Sequence, residues 1–226
     1  LKRGASGEGL RPKFSVLNPE LTQTLPAFQT AAGVTDIMAH LFERYFTTTK
    51  EVEVTDRVIE ALLLTMIHEA PRVIEDPNNY EARANIMWAG MMAHNNCCGV
   101  GRVQDWASHA IEHELSAVYD CAHGAGLAVT FPAWMTYNMN HNVMRFAQLA
   151  TRVWGCQMDF EHPENTAKAG IAALKAFFKS IGMPGNFAEL GAKEEDIEKM
   201  AHTACYGNGR TGKIGGFVAL EQKDVE

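Results

Sequence analysis

The sequence lacks any uncharged apolar run of about 18 residues, the length a helix needs to cross a bilayer. No leader pattern is visible at its start. It also lacks runs of lysine and arginine. With 20 Lys and Arg against 27 Asp and Glu, the formal net charge is −7. That argues against a nucleic-acid partner, because displacing phosphate counterions takes a basic face. Cysteine is scarce too: Cys97, Cys98, Cys121, Cys156 and Cys205 are the only ones. An odd number without regular spacing excludes a disulfide framework and suits free thiols in a reducing, cytoplasmic compartment. The adjacent Cys97 and Cys98 read as core thiols, since free cysteine is usually buried. No fixed-period repeat occurs, which excludes a solenoid.

What is present suits one folded core. The chain has 226 residues, 46% of them hydrophobic and 21% charged, an ordinary balance for a globular domain. Phe14-Ser15-Val16-Leu17 is a short extended candidate closed by Asn18-Pro19, and a connector follows from Thr22 to Thr30. Beyond it, apolar residues recur at helical spacing almost throughout. Helices are expected over Val34–Phe46, Asp56–Ala70 (with Thr55 as N-cap and a stop before Pro71) and Glu81–Cys98. Further helices are expected over Asp105–Tyr119, Gly124–Trp134, Asn138–Trp154, Asn165–Ile181 and Glu194–Tyr206. Gly215–Leu220 reads as an extended tail. The fold class is all-α, with a short extended N-terminal lead.

Two constellations carry chemistry. Asp36 and His40, four residues apart, share one face of an otherwise apolar helix. Either they simply hydrogen-bond each other, or they answer to a third partner. Asp105, His109 and His113 recur at i, i+4 and i+8, Glu112 and Glu114 flank His113, and His123 follows ten residues later. A divalent cation needs neutral imidazole nitrogens and an anionic oxygen on rigid elements, and iron or zinc suits such a donor set better than magnesium or calcium. Spacing alone does not say which of these residues bind. A solvated, salt-bridged helix face is the plainer alternative.

Other motifs carry less. Gly207-Asn208-Gly209-Arg210-Thr211-Gly212-Lys213 approaches a P-loop but ends on Ile214 and follows a helix instead of a strand, so a glycine turn is the better reading. Gly99-Val100-Gly101-Arg102 is too short for a dinucleotide fingerprint. His68, His94, His141, His162 and His202 have no partner at ligand spacing and read as surface or packing residues. Met87, Met91 and Met92 read as core filler.

The run Ala31-Ala32-Gly33-Val34-Thr35-Asp36-Ile37-Met38-Ala39-His40 resembles the first metal motif of iron-containing (group III) alcohol dehydrogenases. The stretch from Asp105-Trp106-Ala107-Ser108-His109 through His113 to Asp120-Cys121-Ala122-His123-Gly124 resembles the second. Pro12 to Glu20 and Asn208 to Val225 resemble the flanks, and the butanol dehydrogenase branch is the nearest. The resemblance implies a helical-bundle, metal-binding domain of the dehydroquinate synthase-like/iron alcohol dehydrogenase fold over residues 12–226. Residues 1–11 would be the remnant of a nucleotide-binding domain, on which the isolated chain would depend for turnover. The resemblance further implies that Asp36, His40, His109 and His123 bind one divalent metal, Fe2+ before Zn2+. His113 would act beside the metal as a catalytic or proton-relay group. NADPH or NADH would be the hydride carrier, a small alcohol or aldehyde the substrate, and a homodimer the assembly. His40 favours the alcohol dehydrogenase branch over glycerol dehydrogenase and dehydroquinate synthase. Asp105 is a candidate to orient His109. The competing readings are a metal-dependent hydrolase or lyase on the same ligands, and a non-catalytic helical interaction domain.

Overall fold

The computed structural model describes residues 7–226. Of residues 1–11, only Gly7 to Arg11 fall within it, and they hold a 3-10 turn at Glu8–Leu10; the rest of that expected remnant lies outside the described residues. Helices dominate: α1 (Ala27–Tyr45), α2 (Glu53–Glu75), α3 (Tyr80–His94), α4 (Ala107–Tyr119), α5 (His123–Asn138), α6 (Val143–Arg152), α7 (Pro163–Ser180), the single turn α8 (Phe187–Leu190), α9 (Ile197–Tyr206) and the single turn α10 (Gln222–Val225). Among the described residues no strand forms; Ile214 and Leu220 make one isolated antiparallel bridge. The tail expected to be extended is thus pinned at its two ends. Phe14 to Leu17 is irregular and pairs with no strand, and Phe14 and Val16 are each 81% exposed. No helix among the described residues is long and apolar enough to cross a membrane.

Helix α1 is the hub. Its buried stripe, including Val34, Met38, Leu41, Phe42 and Tyr45, follows the 3.6-residue period, and the helix packs against α2, α3 and α5. Helix α4 lies against α5 and α9, and α6 packs on α7. Phe46, Phe131, Trp134, Phe146 and Phe217 form an aromatic cluster with ring centroids 4.5–6.5 Å apart, within the range of favourable edge and offset contacts.

Several boundaries differ from the sequence reading, each for a physical reason. Helix α2 does not stop before Pro71 but runs through it. The proline removes one backbone bond at a cost of about 3 kcal/mol. The buried stripe continues beyond it through Val73, and burying a valine returns roughly 1.5–3 kcal/mol. Thr55 lies inside α2 and is not its cap. Helix α5 likewise runs through Pro132 to Asn138. The expected helix from Asn138 to Trp154 is broken, because the Asn142 side chain accepts from Arg145 N–H (3.2 Å) and starts a new helix there. Helix α3 begins one residue after Asn79, whose side chain accepts from Ala82 N–H at 3.0 Å, and it ends at His94, short of the cysteines. Cys98 is buried as expected, but Cys97 is exposed. Asp105 precedes α4 and is not on it.

Candidate metal centre

Asp36, His40 and Glu43 stand on one side of α1, spaced by four and three residues. His109, Glu112 and His113 stand on α4, and His123 is the first residue of α5. Two glycines set how closely these helices meet. A Cβ on Gly124 would lie 1.9 Å from the Ala32 carbonyl oxygen, so only glycine lets the start of α5, with His123, approach α1. A Cβ on Gly126 would lie 2.6 Å from the Glu112 side chain; its absence makes room for that carboxylate.

The donors converge on one oxygen. Asp36 Oδ1 is 3.7 Å from His40 Nε2, 3.5 Å from His109 Nε2 and 3.4 Å from His123 Nε2. Donors held about 2.1 Å from a common ion in tetrahedral array lie about 3.4 Å from one another. Asp36, His109 and His123 bring their ligand atoms within 4.8 Å of one another, while His40 reaches the same Asp36 in a second group with His94. Asp36 Oδ1 and His109 Nε2 are buried and accept or donate no hydrogen bond among the described residues. Two polar atoms left that way and facing each other are costly unless a ligand lies between them.

The outer partners fix the rings. His109 Nδ1 lies 2.8 Å from Glu43 Oε1, and His123 Nδ1 hydrogen-bonds Glu112 Oε2. A carboxylate only accepts, so each Nδ1 carries the proton and each Nε2 presents its lone pair inward, the arrangement expected of metal-ligating histidines. Glu43 and Glu112 are both fully buried. Glu43 also accepts from the backbone N–H groups of Trp106 (2.6 Å) and His109 (3.1 Å). It thereby caps α4 from another helix and meets its positive end. Trp106, at φ +69°, holds a left-handed turn that brings these donors round, and the Arg44 guanidinium covers its ring 4.8 Å from the centroid.

The electrostatics ask for positive charge. Burial works against the Asp36 carboxylate, yet the imidazoles of His109, His123 and His94 overcome it and hold its pKa far below the carboxylate range. Burial would also lower His123, but Asp36 and Glu112 push it up to about 9; His109 moves up against burial for the matching reason, with Asp36 and Glu43. Burial, aided by His94, pushes His40 down to about 3, so its imidazole is neutral, the form that ligates a cation. Three carboxylates around inward-facing imidazoles fit a divalent cation.

Some expectations need correction. Asp105 does not orient His109. It accepts backbone N–H groups of Gly216 (3.0 Å), Phe217 (2.9 Å) and Ala107 (3.2 Å), tying the tail to the start of α4, and burial with Glu43 nearby pushes it up to about 7. The orienting residue is Glu43. One signal for it existed: a lone carboxylate amid Leu41, Phe42 and Tyr45, three residues after His40. His94 is no remote packing histidine. Its Nε2 lies 3.3 Å from Asp36 Oδ2 and its ring 3.8 Å from the His40 ring. Nothing in local spacing could link it to a partner 58 residues away. His113 sits half-buried beside the centre, its ring 5.3 Å from His123 and 6.3 Å from His109. Met87 and Met91 line a cavity of about 460 Å3 with Leu25, Val34 and Ile37, opening on Asp36 and His94; only Met92 packs on the core.

The profile of the Fe-containing alcohol dehydrogenase family, C-terminal, matches residues 30–226. The NADH-dependent butanol dehydrogenase A of Clostridium acetobutylicum is 40% identical over 225 residues, which are 99% of this chain and 57% of that protein. The NADPH-dependent aldehyde reductase YqhD of Escherichia coli is 37% identical over 188 residues, 83% of this chain and 48% of that protein. The crystal structure of an NADH-dependent butanol dehydrogenase A from Thermotoga maritima superposes with a TM-score of 0.90 at 37% identity, over 97% of this chain and 56% of that one. The chain spans about half the length of the curated relatives it matches.

Proposed function

Because the chain belongs to the Fe-containing alcohol dehydrogenase family, we propose that the protein carrying it interconverts small alcohols and aldehydes with NADH or NADPH, on a divalent cation held by Asp36, His40, His109 and His123. Residues 12–226 are its helical metal-binding domain. The observation that carries this reading is the convergence of three inward-facing imidazoles on the buried Asp36 Oδ1. The family's name points to Fe2+ first and Zn2+ second, and the donor set of one carboxylate and three imidazoles accepts either. The relatives' names supply the substrate class and the nicotinamide cofactor. We assign the protein to the cytoplasm as a homodimer.

A cation in this centre supplies Lewis acidity to an alcohol or carbonyl oxygen. The chain's own residues do the rest. Glu43 and Glu112 hold the His109 and His123 rings in one tautomer. The apolar cavity beside Asp36 takes the carbon chain of the substrate. His113, half-buried next to His123, passes the alcohol proton between the site and solvent, a task suited to an imidazole near neutral pH.

Metal analysis and turnover test this together. Purified protein should hold about one divalent cation per chain, and His109→Ala and His123→Ala should each lose it. Full metal content in both variants would refute the ligand set. In the full-length enzyme, His113→Ala should keep its metal and lose roughly 10²–10⁴-fold in butanal reduction by NAD(P)H, the usual weight of a general acid or base. Unchanged turnover would remove His113 from the mechanism. Bound metal without NAD(P)H-dependent aldehyde reduction would favour metal-dependent hydrolysis instead.

A further inference from the structure

Between α3 and α4 the chain passes through two adjacent cysteines. Cys98 is buried and Cys97 is exposed, and their sulfurs lie 3.7 Å apart. The Cys97 sulfhydryl donates to the Met92 carbonyl oxygen at 3.1 Å. Burial and the neighbouring Cys97 push the Cys98 thiol up to about 12, against the pull of Arg44 and Arg102, so Cys98 keeps its proton at neutral pH.

Arg44 brings a positive charge to this pair. It is 4% exposed, yet among the described residues no carboxylate forms an ion pair with it. Its Nη1 donates to the His40 carbonyl oxygen at 2.8 Å, its guanidinium covers the Trp106 ring, and its Nε has no hydrogen-bond partner. The negative charge within its reach belongs to Cys98, Glu43 and Cys97, and Glu43 is committed to Trp106 and His109. Arg102, the other guanidinium beside the thiols, is held by Asp56 at 3.0 Å. A buried cation without a counter-ion is costly. Reactive cysteines lie in electropositive, partly exposed surroundings, and Arg44 gives this pair such surroundings.

We infer that Cys97 and Cys98 form a redox-sensitive pair that hydrogen peroxide converts to a disulfide between adjacent residues. Cys97, the accessible thiol, reacts first. Its thiolate attacks one peroxide oxygen, the O–O bond breaks, and the departing hydroxide takes up the thiol's proton as water. Cys97 is left as a sulfenic acid. The Cys98 sulfur then attacks the Cys97 sulfur, the S–S bond forms, the S–O bond breaks, and the hydroxyl leaves with the Cys98 proton as a second water. The two sulfurs together lose the two electrons that reduce the peroxide. Adjacent Cα atoms are about 3.8 Å apart, closer than the roughly 4.4–6.8 Å of ordinary disulfides. The ring is therefore strained and readily reopened by glutathione, so the change is reversible. The pair acts independently of the metal centre.

The test treats the reduced full-length protein with hydrogen peroxide, with a chelator present to keep free iron from reacting. Remaining thiols are then blocked with N-ethylmaleimide under denaturing conditions, and tryptic peptides are weighed. Residues 84–102 form one such peptide, with Cys97 and Cys98 as its only cysteines. It should lose two hydrogen atoms, take up no maleimide, and recover both thiols after glutathione. Cys98→Ser should stop at the Cys97 sulfenic acid, which dimedone captures. Cys97→Ser should leave Cys98 free to take maleimide. Arg44→Met, with its fold checked by thermal melting, should oxidise several-fold more slowly, and Arg44→Lys should restore much of the rate. Two maleimides on residues 84–102 after peroxide, a sulfinic acid at Cys97 beside a blocked Cys98, or a disulfide to a second chain would each overturn the proposal, as would an unchanged rate in Arg44→Met.

Discussion

The Glu43 carboxylate accepts from Trp106 N–H, His109 N–H and His109 Nδ1–H, so a single substitution there reaches both helix capping and ligand orientation. Glu43→Gln keeps the volume but removes the charge and brings an NH2 group that must face one of those donors. Metal affinity should fall roughly 10–100-fold, as it does when such outer carboxylates are lost. The melting temperature should fall too, because a buried N–H left unsatisfied costs about 1–3 kcal/mol. Metal titration and a thermal melt measure the two effects separately. Affinity equal to that of the unaltered protein would mean that Glu43 only caps α4.

The relation between helices depends on close approach. Helices α1 and α5 meet where Gly124 faces Ala32, leaving no room for a Cβ. Gly124→Ala should push the start of α5 away from α1 and carry His123 with it. Overpacking of this kind costs about 1–3 kcal/mol. Metal content should fall along with stability, although no ligand has been removed. A variant that melts lower but retains full metal would show that the start of α5 shifts without moving His123. Helix α4 has a comparable dependence, since Glu43 on α1 occupies its N-terminus.

Across the whole molecule, a buried ionic network joins α2, α6 and the segment between α3 and α4. Asp56 on α2 is 3% exposed and accepts from Arg102 at 3.0 Å and from two nitrogens of Arg145 on α6. Arg102 also donates to the carbonyl oxygens of Arg44 and Val52. Burial pushes Asp56 up, but Arg145 and Arg102 prevail and leave its pKa lowered. A carboxyl depressed by folding contributes stability above its unfolded pKa of about 3.9, and loses it as pH falls through the folded value. The share of stability that rests on Asp56 should therefore hold between pH 7 and about 5 and decline below that. Asp56→Asn should be less stable at pH 7, with a shallower decline in acid. Parallel pH profiles for the two proteins would show that Asp56 is not the linked group.

The sequence by itself determined the helical architecture, because a 3.6-residue apolar period needs no partner to be read. Spacing gathered the candidate donors around Asp36/His40 and His109/His123 without choosing among them, and the resemblance to the family supplied the choice. The errors of a local reading cluster where distant contacts outweigh local preference. Pro71 and Pro132 stay helical because the buried stripes continue past them. Asn142 starts a helix because its side chain reaches Arg145 N–H. Asp105 turns to the tail at Gly216 and Phe217, leaving Glu43 to hold His109. Only the tertiary structure decided the outer shell of the centre, since Glu43, Glu112 and His94 acquire their roles from residues on other helices. Spacing along one helix cannot encode a contact of His94 with Asp36 across 58 residues; the packing of α3 on α1 creates it.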